Sequence, residues 1–192
     1  GPSGFEQDLG GGVDDGVNLD YAFDDTPCES TSCGVVKFAD QSDCSVPRTG
    51  NVMVNWKIKQ AVTAWLSDAT AAEATYGHIS TWETGGVTDM TQLFCGCSWC
   101  GDCNAAAAAA SFNEDIGTWD TSGVTSMYYM FKDASSFDQD LSGWAVDSVT
   151  DMSWMFEYAT SFNQDIGGWA VDQVTDMGRI FQYASTFDQD LG

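Results

Sequence analysis

The chain has 192 residues, 43% of them hydrophobic and 13% aromatic, which is enough for one globular-sized core and too aromatic for a disordered acidic tail. Six Lys and Arg stand against 29 Asp and Glu, a net charge of −23. That balance argues against nucleic acid and anionic membrane surfaces, which both call for a basic face, and suits cations, basic partners or plain solubility.

Residues 1–50 show no repeat and read as an irregular acidic segment. Gly10-Gly11-Gly12, Asp14-Asp15 and Asp24-Asp25-Thr26-Pro27 are loop chemistry, with a short strand expected near Val35–Phe38. Cys28, Cys33 and Cys44 are expected to staple this segment, which lacks the apolar density to hold itself. Asp14-x-Gly16-x-Asn18-x-Asp20 is faintly calcium-loop-like but has no distal Glu. Gly1 is not an initiator Met, so the start is read as processed or cut away.

Residues 51–77 are expected to form one amphipathic helix. Ile58, Ala61, Val62, Trp65, Leu66 and Ala69 fall at helical spacing, Asn51 or Asn55 suits the N-cap, and Gly77 suits the stop. Such a helix is placed to cap the chain beyond residue 77. No apolar run reaches the ~20 residues of a membrane span, so no membrane insertion is expected.

From residue 78 onward the chain repeats itself. Phe137-Asp-Gln-Asp-Leu-Ser-Gly-Trp144-Ala-Val-Asp-Ser-Val149-Thr-Asp-Met152 returns as Phe162-Asn-Gln-Asp-Ile-Gly-Gly-Trp169-Ala-Val-Asp-Gln-Val174-Thr-Asp-Met177, an offset of 25 residues. Trp82 to Trp119 spans 37, one repeat plus a 12-residue insertion, and the insertion at 95–110 carries Cys95, Cys97, Cys100, Cys103 and an alanine run. A period in the twenties predicts an α/β repeat solenoid in which each coil is a short strand plus a short helix. Val149, Met152, Met155, Phe156 and Ala159 supply the expected helical face. Three rows are assigned to the core: Phe112, Phe137, Phe162 and Phe187; Trp119, Trp144 and Trp169; Met127, Met152 and Met177. The next Trp falls due at 194, so the run is expected to break off in mid-repeat and leave a sticky, uncapped end. Phe5-Glu-Gln-Asp-Leu9-Gly10 matches the closing Phe187-Asp-Gln-Asp-Leu191-Gly192.

The pattern Trp-x-x-x-x-Val-Thr-x-Met-x-x-Met-Phe-x-x-Ala-x-x-Phe-Asn/Asp-Gln-Asp-Ile/Leu resembles the BspA-like leucine-rich-repeat family, a bacterial surface-protein repeat also found in secreted proteins of unicellular eukaryotes. The resemblance covers about residues 78–192, and the stretch from Ile58 to Trp82 is similar to the segment ahead of the first repeat in that family. It implies leucine-rich-repeat-like coils, a place at the cell surface or in the extracellular matrix, and roles in adhesion and assembly without catalytic residues. Gly178-Arg179-Ile180, the cysteine-rich insertion and the acidic N-terminal segment depart from the family pattern.

Asp115, Asp140, Asp165 and Asp190 recur at the same offset, with Asn113, Asp138, Asn163 and Asp188 two residues earlier. Like charges one coil apart repel, and two remedies are open: backbone N–H groups of Asx-type turns, or bound calcium. The seven cysteines are read as disulfide partners, with at least one left over; four thiolates on zinc is the alternative for Cys95–Cys103, although the four are packed more closely than a usual structural zinc site. His78, the one histidine, reads as a packing residue, and no catalytic motif is found. The expected function is a structural subunit of an extracellular fibre or cell-surface appendage, copies joining head to tail. The alternative is an adhesion module for surface proteins or glycans, with calcium as a candidate cofactor.

Overall fold

The computed structural model describes residues 46–97 and 106–191, almost all of them in one compact unit, Thr49–Gly192. Cys28, Cys33 and Cys44, the strand expected near Val35–Phe38, the loop Asp14–Asp20 and the stapled N-terminal segment lie outside the described residues, as do Cys100 and Cys103.

The compact unit opens with strand β1, Val52–Val54, followed by helices α1, Asn55–Ser67, and α2, Ala69–Tyr76. The single helix expected over 51–77 is therefore broken at Asp68. Its backbone is extended (φ −155°, ψ 96°), and its carboxylate accepts the Ala71 N–H as the cap of α2. A mid-segment Asp competes for the backbone in this way whenever a helix can restart behind it. Neither asparagine caps α1. Asn51 donates to Thr81 O and Glu83 Oε1, and Asn55 Oδ1 accepts the Thr88 and Asp89 N–H groups. Both are thus spent on tying the helices to the first repeat. The inward face of α1 carries Ile58, Ala61, Val62 and Trp65, together with the stem of Lys57, whose Nζ reaches Thr49 O at 2.8 Å. Gly77 ends α2 with φ 77°, a 3-10 turn covers Ile79–Thr81, and strand β2, Glu83–Gly86, pairs parallel to β1. A Cβ on Gly86 would stand 2.9 Å from Met53 O, so the two strands meet as they do only because this residue is glycine. Helix α3, Ala106–Ala110, closes the insertion.

The 25-residue units are not leucine-rich-repeat-like coils of strand plus helix, and the α/β solenoid expected from the sequence is overturned. Among the described residues the only sheet is the two-stranded β1–β2 pair, and the α-helices are α1, α2 and the short α3. Each unit is built of turns and touches its neighbours through single parallel bridges, Asp89 to Ser126, Ser126 to Asp151 and Asp151 to Asp176. The reason lies in where the N–H groups point. In the segment predicted as a helix, alternate residues bond across to the next unit: Met127 N–H to Asp151 O, Tyr129 to Ser153, Phe131 to Met155 and Asp133 to Glu157, at 2.7–3.2 Å. The residues between them close turns three back, as Met130 to Met127 O and Lys132 to Tyr129 O. Such a ribbon requires left-handed backbone every fourth residue. Tyr129, Asp133, Trp154, Tyr158, Arg179 and Tyr183 all have φ between 57° and 62°, a conformation incompatible with a continuous α-helix.

The apolar rows do share one core. Phe112, Phe137, Phe162 and Phe187 follow one another at ring separations of 5.9, 6.1 and 5.9 Å. A second row, Phe94, Phe131, Phe156 and Phe181, runs beside them at 5.5, 5.4 and 5.7 Å. Trp119, Trp144 and Trp169 are buried, and each indole N–H donates to a carbonyl of the preceding unit: Ile79, Ile116 and Leu141. Met127 and Met152 are buried as expected of their row. Met177 is not: it stands 38% exposed, since no later unit lies over it among the described residues.

The left-handed ribbon can be tested at Gln92, which has φ 61°. Gln92→Gly is expected to hold or raise stability by up to about 1 kcal/mol, whereas Gln92→Val lowers it by about 1–2 kcal/mol. Denaturant unfolding of the two variants checks this; an ordinary helical turn would rank them the other way.

Candidate functional site

Three aspartates of the row Asp115, Asp140, Asp165 and Asp190 are each engaged by their own turn. Asp115 Oδ1 accepts the Gly117 N–H, Asp140 the Ser142 N–H and Asp165 the Gly167 N–H, at 2.8–3.0 Å. Asp89, Asp120, Asp151 and Asp176 do the same for the amide two residues on. These are Asx turns, and they place a donor against each charge. The bonds from Ser142 hold the exposed Asp140 carboxyl below the usual carboxylate range. Asp190 ends the row on the surface. Among the described residues no group of three or more His, Cys, Asp or Glu side chains is arranged to hold a metal ion.

Beside this row runs a second one. Asn113 Oδ1 accepts the Asp138 N–H and the Gln139 Nε2, Asp138 does so for Asn163 and Gln164, and Asn163 for Asp188 and Gln189. The Phe-Asn/Asp-Gln-Asp motif is therefore a polar ladder between units. In the Val-Thr-Asp/Ser-Met motif the threonine hydroxyl has a like role: Thr125, Thr150 and Thr175 donate to Thr88, Thr125 and Thr150 O. His78 packs edge-on against Trp65, and its Nδ1 accepts the Ser80 N–H. Cys95 and Cys97 are buried and disulfide-bonded.

Two arrangements were not foreseen. In one, Lys132 and Glu157 form a buried ion pair beneath Tyr129, Trp154 and Tyr158, with Lys132 Nζ 5.2–5.6 Å from the three ring centroids. Burial pulls the Lys132 pKa down, and Asp133 at 3.7 Å works against that pull. Above the pair Arg179 lies 4.2 Å from the Trp154 ring centroid, and burial pushes the neighbouring Tyr129 hydroxyl up to about 12. The sequence did carry a signal. Lys132, Glu157 and Gln182 occupy the same repeat position, and the two charges among them are opposite rather than repeated.

The other is an open groove of about 590 Å³ where β2 meets the first repeat. Thr81, Glu83 and Gly85 line it from the β2 segment, and Thr118 and Asp120 from the first repeat. A Cβ on Gly85 would stand 2.9 Å from Asp120 Oδ2, so glycine leaves room for that carboxylate. Asp120 Oδ1 accepts both the N–H and the hydroxyl of Ser122, which hold its pKa below the ordinary range. No repeat signal marks these residues. Trp82-Glu-Thr-Gly-Gly reads as one more repeat start until the strand pairing is known.

Residues 60–192, more than half of the chain, match the family model described as "Mycoplasma protein of unknown function, DUF285". The chain belongs to that family. No curated protein and no solved structure matches it. The family's description assigns no activity, so a function for this DUF285 member has to be argued from its own residues.

Two outcomes are expected of the charged groups. Glu157→Gln, which leaves Lys132 buried with a neutral partner, lowers stability by about 3–5 kcal/mol, while Lys132→Met with Glu157→Met is close to neutral. Urea unfolding of both variants checks this. The second concerns acid. Burial raises the Asp89 pKa, but the bonds from Lys59 and Thr91 outweigh it and leave it lowered. A carboxyl with a lowered folded pKa adds stability above its unfolded pKa and loses it as pH falls through the folded value. The melting temperature is thus expected to fall below roughly pH 4, and Asp89→Asn flattens that fall.

Proposed function

We propose that this domain is a recognition module of a secreted or cell-surface protein, binding rather than catalysing, and that the groove beside β2 is where it takes its partner. One observation carries the reading: an open space of about 590 Å³ lined by hydroxyls, two carboxylates and a glycine floor, in a molecule whose other polar rows are spent on one another. Seven aspartates each commit an oxygen to a backbone amide two residues on, which suits scaffolding better than proton transfer. The disulfide-bonded Cys95 and Cys97 favour an oxidising compartment. The likeness of the repeat motif to the BspA-like family points the same way.

Gly85→Leu tests it. The side chain fills the groove, and what it meets first is the movable Asp120 carboxylate rather than backbone. Arrays of glycans and of peptides probed with the wild-type chain are expected to give ligands that Gly85→Leu loses at least about tenfold, with its melting temperature unchanged. Ligands that the variant binds equally well would move the site elsewhere. Sedimentation of the unliganded chain separates binding from head-to-tail assembly: a concentration-dependent polymer would favour the fibre subunit instead.

A further inference from the structure

The walls of the groove are unevenly equipped, and the unevenness names a ligand. Thr84 Oγ1 donates its proton to Asp120 O at 2.9 Å, Thr118 Oγ1 to Ser80 O at 2.8 Å and Thr81 Oγ1 to His78 O at 2.7 Å. A hydroxyl has one proton and two lone pairs, so the exposed Thr81 and Thr118 have only acceptor capacity left, while Thr84 is buried and serves to hold Asp120 in place. Glu83 takes one bond on Oε1 from Asn51, and Asp120 takes its two on Oδ1. Each carboxylate keeps further lone pairs, and neither has a Lys or Arg partner among the described residues. The exposed threonine hydroxyls and the two carboxylates therefore present acceptors to the groove, on a chain of net charge −23.

We infer that the groove holds a lysine or arginine side chain of a protein partner. An ammonium or guanidinium group is all donor and no acceptor, the complement of this wall. A sugar presents both, and would need donors from hydroxyls that have none to give. The size agrees, since about 590 Å³ accommodates a long side chain with the backbone on either side of it. The exposed Val52 offers apolar surface to the methylene stem, while the carboxylates meet the charged end. The strongly negative chain would also steer a basic partner toward it. This assignment rests on the groove being the binding site, as proposed above.

The test uses the full 192-residue chain, labelled for amide NMR, and three probes: capped Gly-Lys-Gly, the same peptide with norleucine, and maltotriose. The lysine peptide is expected to shift the amides of Thr84, Gly85 and Gly86 saturably, and the norleucine peptide to leave them in place. Asp120→Asn keeps the Oδ1 acceptor for Ser122 and so keeps the fold; it is expected to weaken the lysine peptide about tenfold, the scale of one charge-assisted bond. Asp165→Asn, away from the groove, is expected to leave the affinity unchanged. Equal weakening by both variants would mean diffuse attraction to an acidic surface and overturn the inference. Groove shifts with maltotriose but not with lysine would overturn it too, while leaving the groove as the binding site. If lysine shifts no groove amide the inference falls, and array ligands indifferent to Gly85→Leu would show separately that the groove itself was misassigned.

Discussion

Every feature of the repeats depends on one constraint: alternate backbone N–H groups leave their own unit and bond to the carbonyls of the next. The contacts Met90 to Ser126, Met127 to Asp151 and Met152 to Asp176 hold corresponding residues opposite one another. Like then faces like at a fixed spacing, unit after unit. For phenylalanine this is favourable, since rings 5.4–6.1 Å apart and nearly parallel bury their faces on each other. For polar residues it would be costly without further provision.

Three provisions are visible. The all-aspartate row gives Asp115, Asp140 and Asp165 each an amide two residues on, so these charges do not wait for a partner from another unit. The neighbouring row alternates Asn113, Asp138, Asn163 and Asp188, so that carboxylates never follow one another directly, and Gln139, Gln164 and Gln189 bond back to the unit before. In the interior, where a repeated lysine would be ruinous, Lys132 is answered by Glu157 and then by the neutral Gln182, whose buried Oε1 has no hydrogen-bond partner. A charged residue thus repeats unbroken only where its own turn supplies a donor, and it alternates or pairs elsewhere.

This division explains what could be read in advance. Phe, Trp and Met at an offset of 25 announce a shared core, because burial acts on side-chain type alone. The offset says nothing of backbone conformation. Val149, Met152, Phe156 and Ala159 share a face in a helix, but they also share one in a ribbon that turns left at Trp154 and Tyr158. Bulky aromatics at positive φ run against local propensity, and only the bonds to the adjoining unit outweigh the cost. No window along one chain segment contains that term, so the helix-plus-strand coil was the natural and mistaken reading. The break at Asp68 failed for a smaller reason: a helix that restarts one residue later leaves the apolar spacing almost intact. The groove was illegible for a third reason. Glu83 and Asp120 lie 37 positions apart, and only the pairing of β2 with β1 brings strand and repeat together around Gly85.

The same logic locates chemistry in this molecule. Within the regular units, threonine, asparagine, glutamine and aspartate side chains satisfy the backbone and one another, and their capacity is consumed by holding the units in register. Capacity remains where the register is interrupted. At the join between β2 and the first repeat, the strand contributes glycines instead of side chains. Thr81 and Thr118 turn their protons to carbonyls, leaving oxygen lone pairs and two carboxylates on the open side. A surface rich in acceptors gains most from a ligand that brings donors and positive charge. The proposed recognition site falls at the seam because the side chains of the regular units are engaged with one another, and those at the seam are less so.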